Sequence, residues 1–395
     1  VVFFALSTFL VRETGNAIFD SPDESANFLF TAQFKKASSF LLPAVSGEEL
    51  PDAARPRSIL RSGSFFIPVG FVGFPMLLGF FAKIIGLHYV SYGVLLLSAL
   101  AAFVWYHLVK AVFGRHAAVL SAVLLLLQPA YMYYTTRLWY PNALFLVFVL
   151  LAGFNLVRAF SLEQVNLPEV RGAIGMEIPA ASQGTQKKRF YSFLAGAFFG
   201  LAIALRPSEA NWMIAGLLFA LLASRGAMKR LSFRFAALGA LAPLFLVGYM
   251  QYLVYGGVFS NGYVSVDGAD VAGVASRFFL PFGFDAHDAF AVAGTYVLKL
   301  FWWLSLPALL GFAAVFLRWG SGAVTFRRRM FLWLMAVLAA LLWFGVYYGS
   351  WEVRDRIDGG ASIGVSYVRY FLPLSVLIVP IMALGLIRTA RSLSR

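Results

Sequence analysis

Asp23 and Glu24 stand side by side in the run Phe19-Asp20-Ser21-Pro22-Asp23-Glu24-Ser25-Ala26-Asn27, between an apolar stretch and an aromatic-rich helical one at residues 28–40. A carboxylate held there is suited to take a proton from an acceptor hydroxyl, as a general base must. Ser21 or Asp23 also has a plainer use, capping the helix that follows. A second cluster, Tyr131-Met132-Tyr133-Tyr134-Thr135-Thr136-Arg137-Leu138-Trp139-Tyr140-Pro141-Asn142, joins two apolar runs. Its aromatic residues, Tyr140 among them, suit a membrane–water interface and are also candidate substrate contacts. Arg137 is costly between apolar spans unless it meets a partner or a wet cavity, and a phosphate fits its planar fork. Asn142 either orients a sugar or acceptor hydroxyl or caps the next helix.

Two further arginines sit at the ends of apolar runs. Leu205-Arg206-Pro207-Ser208-Glu209 makes a very short turn, with Arg206 a candidate phosphate ligand, Glu209 a candidate substrate contact, and a mutual ion pair as the alternative. Arg369, followed by Tyr370, is a third candidate phosphate ligand, with plain snorkelling as its alternative. Three arginines and a loop carboxylate together match the needs of a polyprenyl phosphate donor: cations for the leaving phosphate and a base for the nucleophile.

The elements that must position these residues are membrane helices. Of 395 residues, 61% are hydrophobic and 13% charged, against roughly 25% charged in soluble domains. Spans of about 20 apolar residues are read at 1–11, 89–110, 116–136, 141–159, 190–205, 209–224, 235–255, 291–317, 330–348 and 367–388. The expected fold is therefore an all-α polytopic membrane protein, one domain over 1–395 with about ten crossings. The run 1–11 reads as the end of a longer first helix, not a signal peptide. There are no cysteines, which rules out disulfides and thiolate metal sites. His88, His107, His116 and His287 are scattered without ligand spacing, so no metal is assigned. No phosphate-binding glycine loop or dinucleotide fingerprint occurs. The net charge of +14 lies between spans, not on a basic face or arm, so nucleic acid is not an expected partner.

Those cations set the topology. Alternate connections between the spans hold Lys110, Arg115, Arg158, Arg171, Lys187, Lys188, Arg189, Arg225, Lys229, Arg230, Arg234, Arg318, Arg327, Arg328, Arg329, Arg388, Arg391 and Arg395. The acids Glu163, Glu169 and Glu177 accompany them. Short loops rich in Lys and Arg stay in the cytoplasm, so these connections are assigned there. The loops 12–64, 256–290 and 349–366 are then expected outside. The assignment of 12–64 depends on segment 65–87, which is apolar and long enough to span, in which case the loop is cytoplasmic; broken by Pro68, Pro75 and glycines, it is expected instead to lie in the interface or re-enter.

The order of these features resembles the GT-C superfamily of membrane glycosyltransferases, in the branch of protein O-mannosyltransferases and lipid A aminoarabinose transferases. The matching features are Asp23-Glu24, the Gly- and Pro-rich segment 68–86, the run ending Thr-Arg-Leu-Trp-Tyr-Pro, Gly200 to Pro207, and Val368-Arg369-Tyr370-Phe371-Leu372-Pro373. The resemblance implies an inverting transferase taking sugar from a polyprenyl phosphate donor. Asp23 would be its base, supported by Glu24, at the extracytoplasmic face of the cell membrane. It also implies membrane lipids and an acceptor protein, lipid or glycan as partners. Many relatives carry an aspartate where this chain has Asn142. A second carboxylate is missing there, so a metal-independent mode is expected, with Glu209 the substitute if a divalent metal is used. Rival classes are a transporter or flippase of an anionic lipid-linked substrate, and a glycan ligase or polymerase.

Overall fold

The computed structural model describes residues 1–14, 19, 21–44, 58–164, 181–223, 231–262, 283–317, 324–349 and 366–394. Asp20, Asp267, Asp270, Ser46 and the charged run Glu352 to Asp358 lie outside the described residues, as does most of the loop that contains Glu169 and Glu177.

The described chain is overwhelmingly helical, in two compact units: Val1–Ser98, Thr135–Ala210 and Ser224–Val274 in the first, Ala99–Tyr134, Asn211–Ala223 and Ala275–Arg395 in the second. The first unit begins with α1 (Val2–Thr14) and α2 (Pro22–Ala37), followed by a small sheet and α3 (Gly73–Ile85). Helix α4 (Leu87–Phe113) starts in the first unit and runs into the second, and α7 (Pro141–Gln164), α8 (Ala181–Leu205) and α10 (Phe233–Tyr255) complete the first unit. Among the described residues, six helices are long and apolar enough to cross a membrane, or eight if each of two bent pairs counts as one span.

That is fewer than the ten crossings read from the sequence. Helix α1 and α9 (Ala210–Ala223) have 13 and 14 residues, and two long apolar runs are bent. The run 116–136 divides at Gln128-Pro129 into α5 (Arg115–Leu127) and α6 (Pro129–Thr136), 53° apart. Proline has no amide hydrogen for the ladder and pushes the preceding residue out of the helical region; Gln128 accordingly has φ −65° and ψ 120°. The run 291–317 bends by 92° between α11 (Ala286–Ala293), with its π-helical continuation Gly294–Leu300, and α12 (Trp302–Leu317). The second unit is completed by α13 (Val324–Gly349), α14 (Ser366–Tyr370) and α15 (Leu372–Leu393).

Segment 65–87 is not a simple span. Its first residues form β3 (Phe65–Pro68), which pairs antiparallel with β1 (Leu42–Pro43) on one side and β2 (Ile59–Ser62) on the other. This three-stranded sheet is absent from the all-helical reading of the sequence. Its strands are too short for the alternation that would betray them. The β2–β3 turn is Gly63-Ser64, with Gly63 at φ 57°, a conformation open to glycine at no steric cost. Helix α3 follows; its 13 residues rise about 20 Å, short of a hydrocarbon layer about 30 Å thick.

The core under the first unit's sheet joins Ala26, Phe30 and Phe34 of α2 to Val72, Met76, Ala204, Val247 and Met250. Burying whole aromatic side chains in this way stabilises by about 2 kcal/mol each, and it packs α2 on α3 within a core that the ends of α8 and α10 also enter. Conversely, Leu96, Leu100 and Phe103 on α4 and Leu238, Leu241 and Phe245 on α10 are exposed, as hydrocarbon-facing residues should be.

Candidate active site

Local sequence fixes where α2 begins. Ser21 adopts an extended backbone and its side chain accepts the Asp23 amide at 3.1 Å, while Pro22 occupies the first helical turn. Serine as cap and proline just inside are favoured at such starts, and Asp23 and Glu24 then sit where the helix dipole is positive. Of the two expected caps, Ser21 is the one used.

Successive helical residues point about 100° apart, so the two acids have separate surroundings. Asp23 is half-buried, and its Oδ1 accepts the Ser58 hydroxyl at 2.5 Å, from the residue that enters β2. Glu24 is only 2% exposed and faces Arg137, with Oε2 4.0 Å from Nη1. Arg137 keeps 24% of its side chain accessible. One helical turn on, Asn27 donates to the Trp139 carbonyl at 2.8 Å, and the Phe28 and Trp139 rings meet edge to face at 5.0 Å. The fold thus brings the acidic start of α2 onto the Arg137 cluster, more than a hundred residues away in sequence.

Tyr140 and Asn142, which enter α7, are both buried. Arg206 and Glu209 form a buried ion pair at 2.7 Å, and the Arg206 guanidinium lies 5.8 Å from the centre of the Phe145 ring on α7. Ala204, two residues before Arg206, shares the core with Ala26 and Phe30 of α2. The arginine therefore sits at the α8 end whose Ala204 enters the core shared with α2, with its charge matched by Glu209.

Arg369 and Tyr370 belong to the second unit. Arg369 is buried, donates to its neighbour's hydroxyl at 3.3 Å and lies over the Tyr370 ring. Tyr370 stacks on Tyr348 with ring centres 4.7 Å apart, part of an aromatic cluster with Phe344, Tyr347 and Phe371. Snorkelling does not describe so enclosed a guanidinium.

Ser58 and Asn27 had no assigned role from sequence. Asn27 carried a signal, being one helical turn after Asp23; Ser58, 35 residues away, carried none. Among the described residues one group has metal-ligand spacing, Asp285, His287 and Asp288, whose ligand atoms lie within 4.8 Å of one another. The scattered histidines did not suggest it. All three are exposed, and Asp285 is already the cap of α11, accepting the Asp288 amide at 3.1 Å.

No protein-family model matches the sequence, and no curated protein matches it. The structure is similar to that of ArnT from Cupriavidus metallidurans bound to undecaprenyl phosphate, with a TM-score of 0.55 and 13% identity over 98% of this chain and 60% of that one. The chain therefore spans three-fifths of that protein's length. It is an integral membrane protein with the ArnT fold, the architecture that the resemblance drawn from its motifs implied.

Proposed function

We propose that the chain transfers a sugar from a polyprenyl phosphate donor to an acceptor hydroxyl at the extracytoplasmic membrane face. The observation that carries this reading is the half-buried Asp23 at the start of α2, beside the Glu24–Arg137 pair. A structural neighbour that holds undecaprenyl phosphate supports the donor class. Asp23 takes the acceptor proton as the acceptor oxygen bonds to the anomeric carbon. The bond from that carbon to the phosphate oxygen breaks, with inversion, and the polyprenyl phosphate leaves with the electron pair.

Arg137 is suited to the departing phosphate because it is partly accessible beside the acidic start of α2. Glu24 then acts through Arg137 and not on the acceptor. Arg206 is matched by Glu209, and Arg369, in the other unit, is proposed as a phosphate ligand from its planar fork alone. Tyr140 and Asn142, which enter α7 in the same unit as Asp23, contact sugar or acceptor. No metal takes part in this scheme. Transport of an anionic lipid-linked substrate is the second reading, favoured by the buried Arg369.

The test is transfer of labelled sugar from a polyprenyl phosphate donor by the purified chain in lipid vesicles with excess chelator. The expected result is transfer by the unaltered chain and a loss of about 10²–10⁴-fold in Asp23→Asn, the usual contribution of a general base. Full activity in that variant sinks the base assignment, and donor movement without transfer favours the second reading.

A further inference from the structure

The Asp23 carboxylate is gripped from outside its own helix. Ser58 is buried, and its hydroxyl reaches Asp23 Oδ1 at 2.5 Å, while its carbonyl accepts the Val69 amide at 3.0 Å. Both ends of the β2–β3 hairpin thus close on this one serine. The hairpin is itself tied to α10, because the Tyr255 hydroxyl donates to the Pro68 carbonyl at 2.6 Å and lies 3.3 Å from that of Gly70. Gly262 lies so close to Pro68 and Val69 that a Cβ there would overlap their backbone. On the helix side, Ser21 accepts the Asp23 amide. One serine sets the backbone of Asp23 and the other its side chain.

We propose that Ser58 is a positioning residue for Asp23, so that the hairpin aims the base. The inference rests on the reading of Asp23 as the base. An aspartate carboxylate turns easily about its last torsion, whose preference is broad, and a base works only within about 2.6–3.2 Å of the proton it takes. A hydroxyl donor on Oδ1, held by a hairpin anchored on α10, fixes the carboxylate plane in a way that α2 alone does not.

The test compares Ser58→Ala, Ser58→Thr and Asp23→Asn with the unaltered full chain in vesicles, measuring kcat, donor KM and melting temperature. Ser58→Ala should lower kcat about tenfold or more, since small misplacements of a reacting group cost up to about 10²-fold. Its donor KM should stay within about twofold, the pattern of an interaction used in the transition state and not in binding. Ser58→Thr, which keeps the hydroxyl, should restore the rate. Unchanged kcat in Ser58→Ala overturns the inference. So does a loss that follows melting temperature and that threonine does not restore, because the serine is then merely structural. Full activity in Asp23→Asn sinks the base reading itself, whereas loss there with an unaffected Ser58→Ala overturns only the role of Ser58.

Discussion

Two acid–arginine pairs in the first unit have different physical standing. Arg206 and Glu209 are both buried and 2.7 Å apart, three residues from one another. Removing one partner of such a pair leaves an uncompensated charge and costs about 3–5 kcal/mol. Glu24 and Arg137 are 4.0 Å apart, and Arg137 is partly accessible, so water can still reach the guanidinium when the acid is removed and the loss should be smaller. Thermal unfolding of Glu209→Ala and Glu24→Ala in the same detergent should show the larger fall for Glu209→Ala; equal falls would contradict the contrast. The Arg206–Glu209 pair was legible in the sequence as one of two readings, because i and i+3 residues in a tight turn meet locally. The contact of Glu24 with Arg137 was not, since nothing local records which distant side chain a buried acid will face.

At the scale of elements, close helix approach in the first unit depends on small residues. Gly196 and Gly200 of α8 lie one helical turn apart, and a Cβ at either would strike the backbone of α10, at Ala236 or Ala240. Gly239 of α10 meets the Phe193 carbonyl in the same way. Without a hydrophobic drive between helices in lipid, such backbone proximity is a main source of packing energy. Gly200→Leu should therefore destabilise the chain by about 1–3 kcal/mol or more through overpacking. Gly216→Ala on α9, where the added atom meets nothing within 4 Å, should leave stability nearly unchanged. A melting temperature equal in the two variants would refute this account. Gly200 was visible in the sequence only as part of a family-like run. Its function as a contact depends on which helix lies opposite.

At the scale of the whole molecule, the basic connections together with a segment 65–87 that does not span predict the topology that the proposed function requires. Loop 12–64 must face outside for Asp23 to meet a donor there. A lone cysteine at Ser46→Cys, in a chain with no other cysteine, should react with an impermeant thiol reagent applied from outside intact cells. Protection there, with labelling only after permeabilisation, would place the loop in the cytoplasm and exclude the extracytoplasmic assignment.

Composition and local pattern by themselves determined that this is a helical membrane protein, where its long spans lie, and that a helix capped by Ser21 or Asp23 follows the acidic run. Such signals are local: apolar length, charge between spans, and capping residues act within a few positions. Pro129 was visible as a helix breaker, but only the structure gives the 53° bend. Tertiary structure alone decided that the two acids have different neighbours, Asp23 with Ser58 and Glu24 with Arg137. Adjacent helical residues diverge by about 100°, and each then meets whatever the packing of α2 brings there. The opening pair of carboxylates is, in the folded chain, one candidate base held by a hairpin and one counter-charge to an arginine.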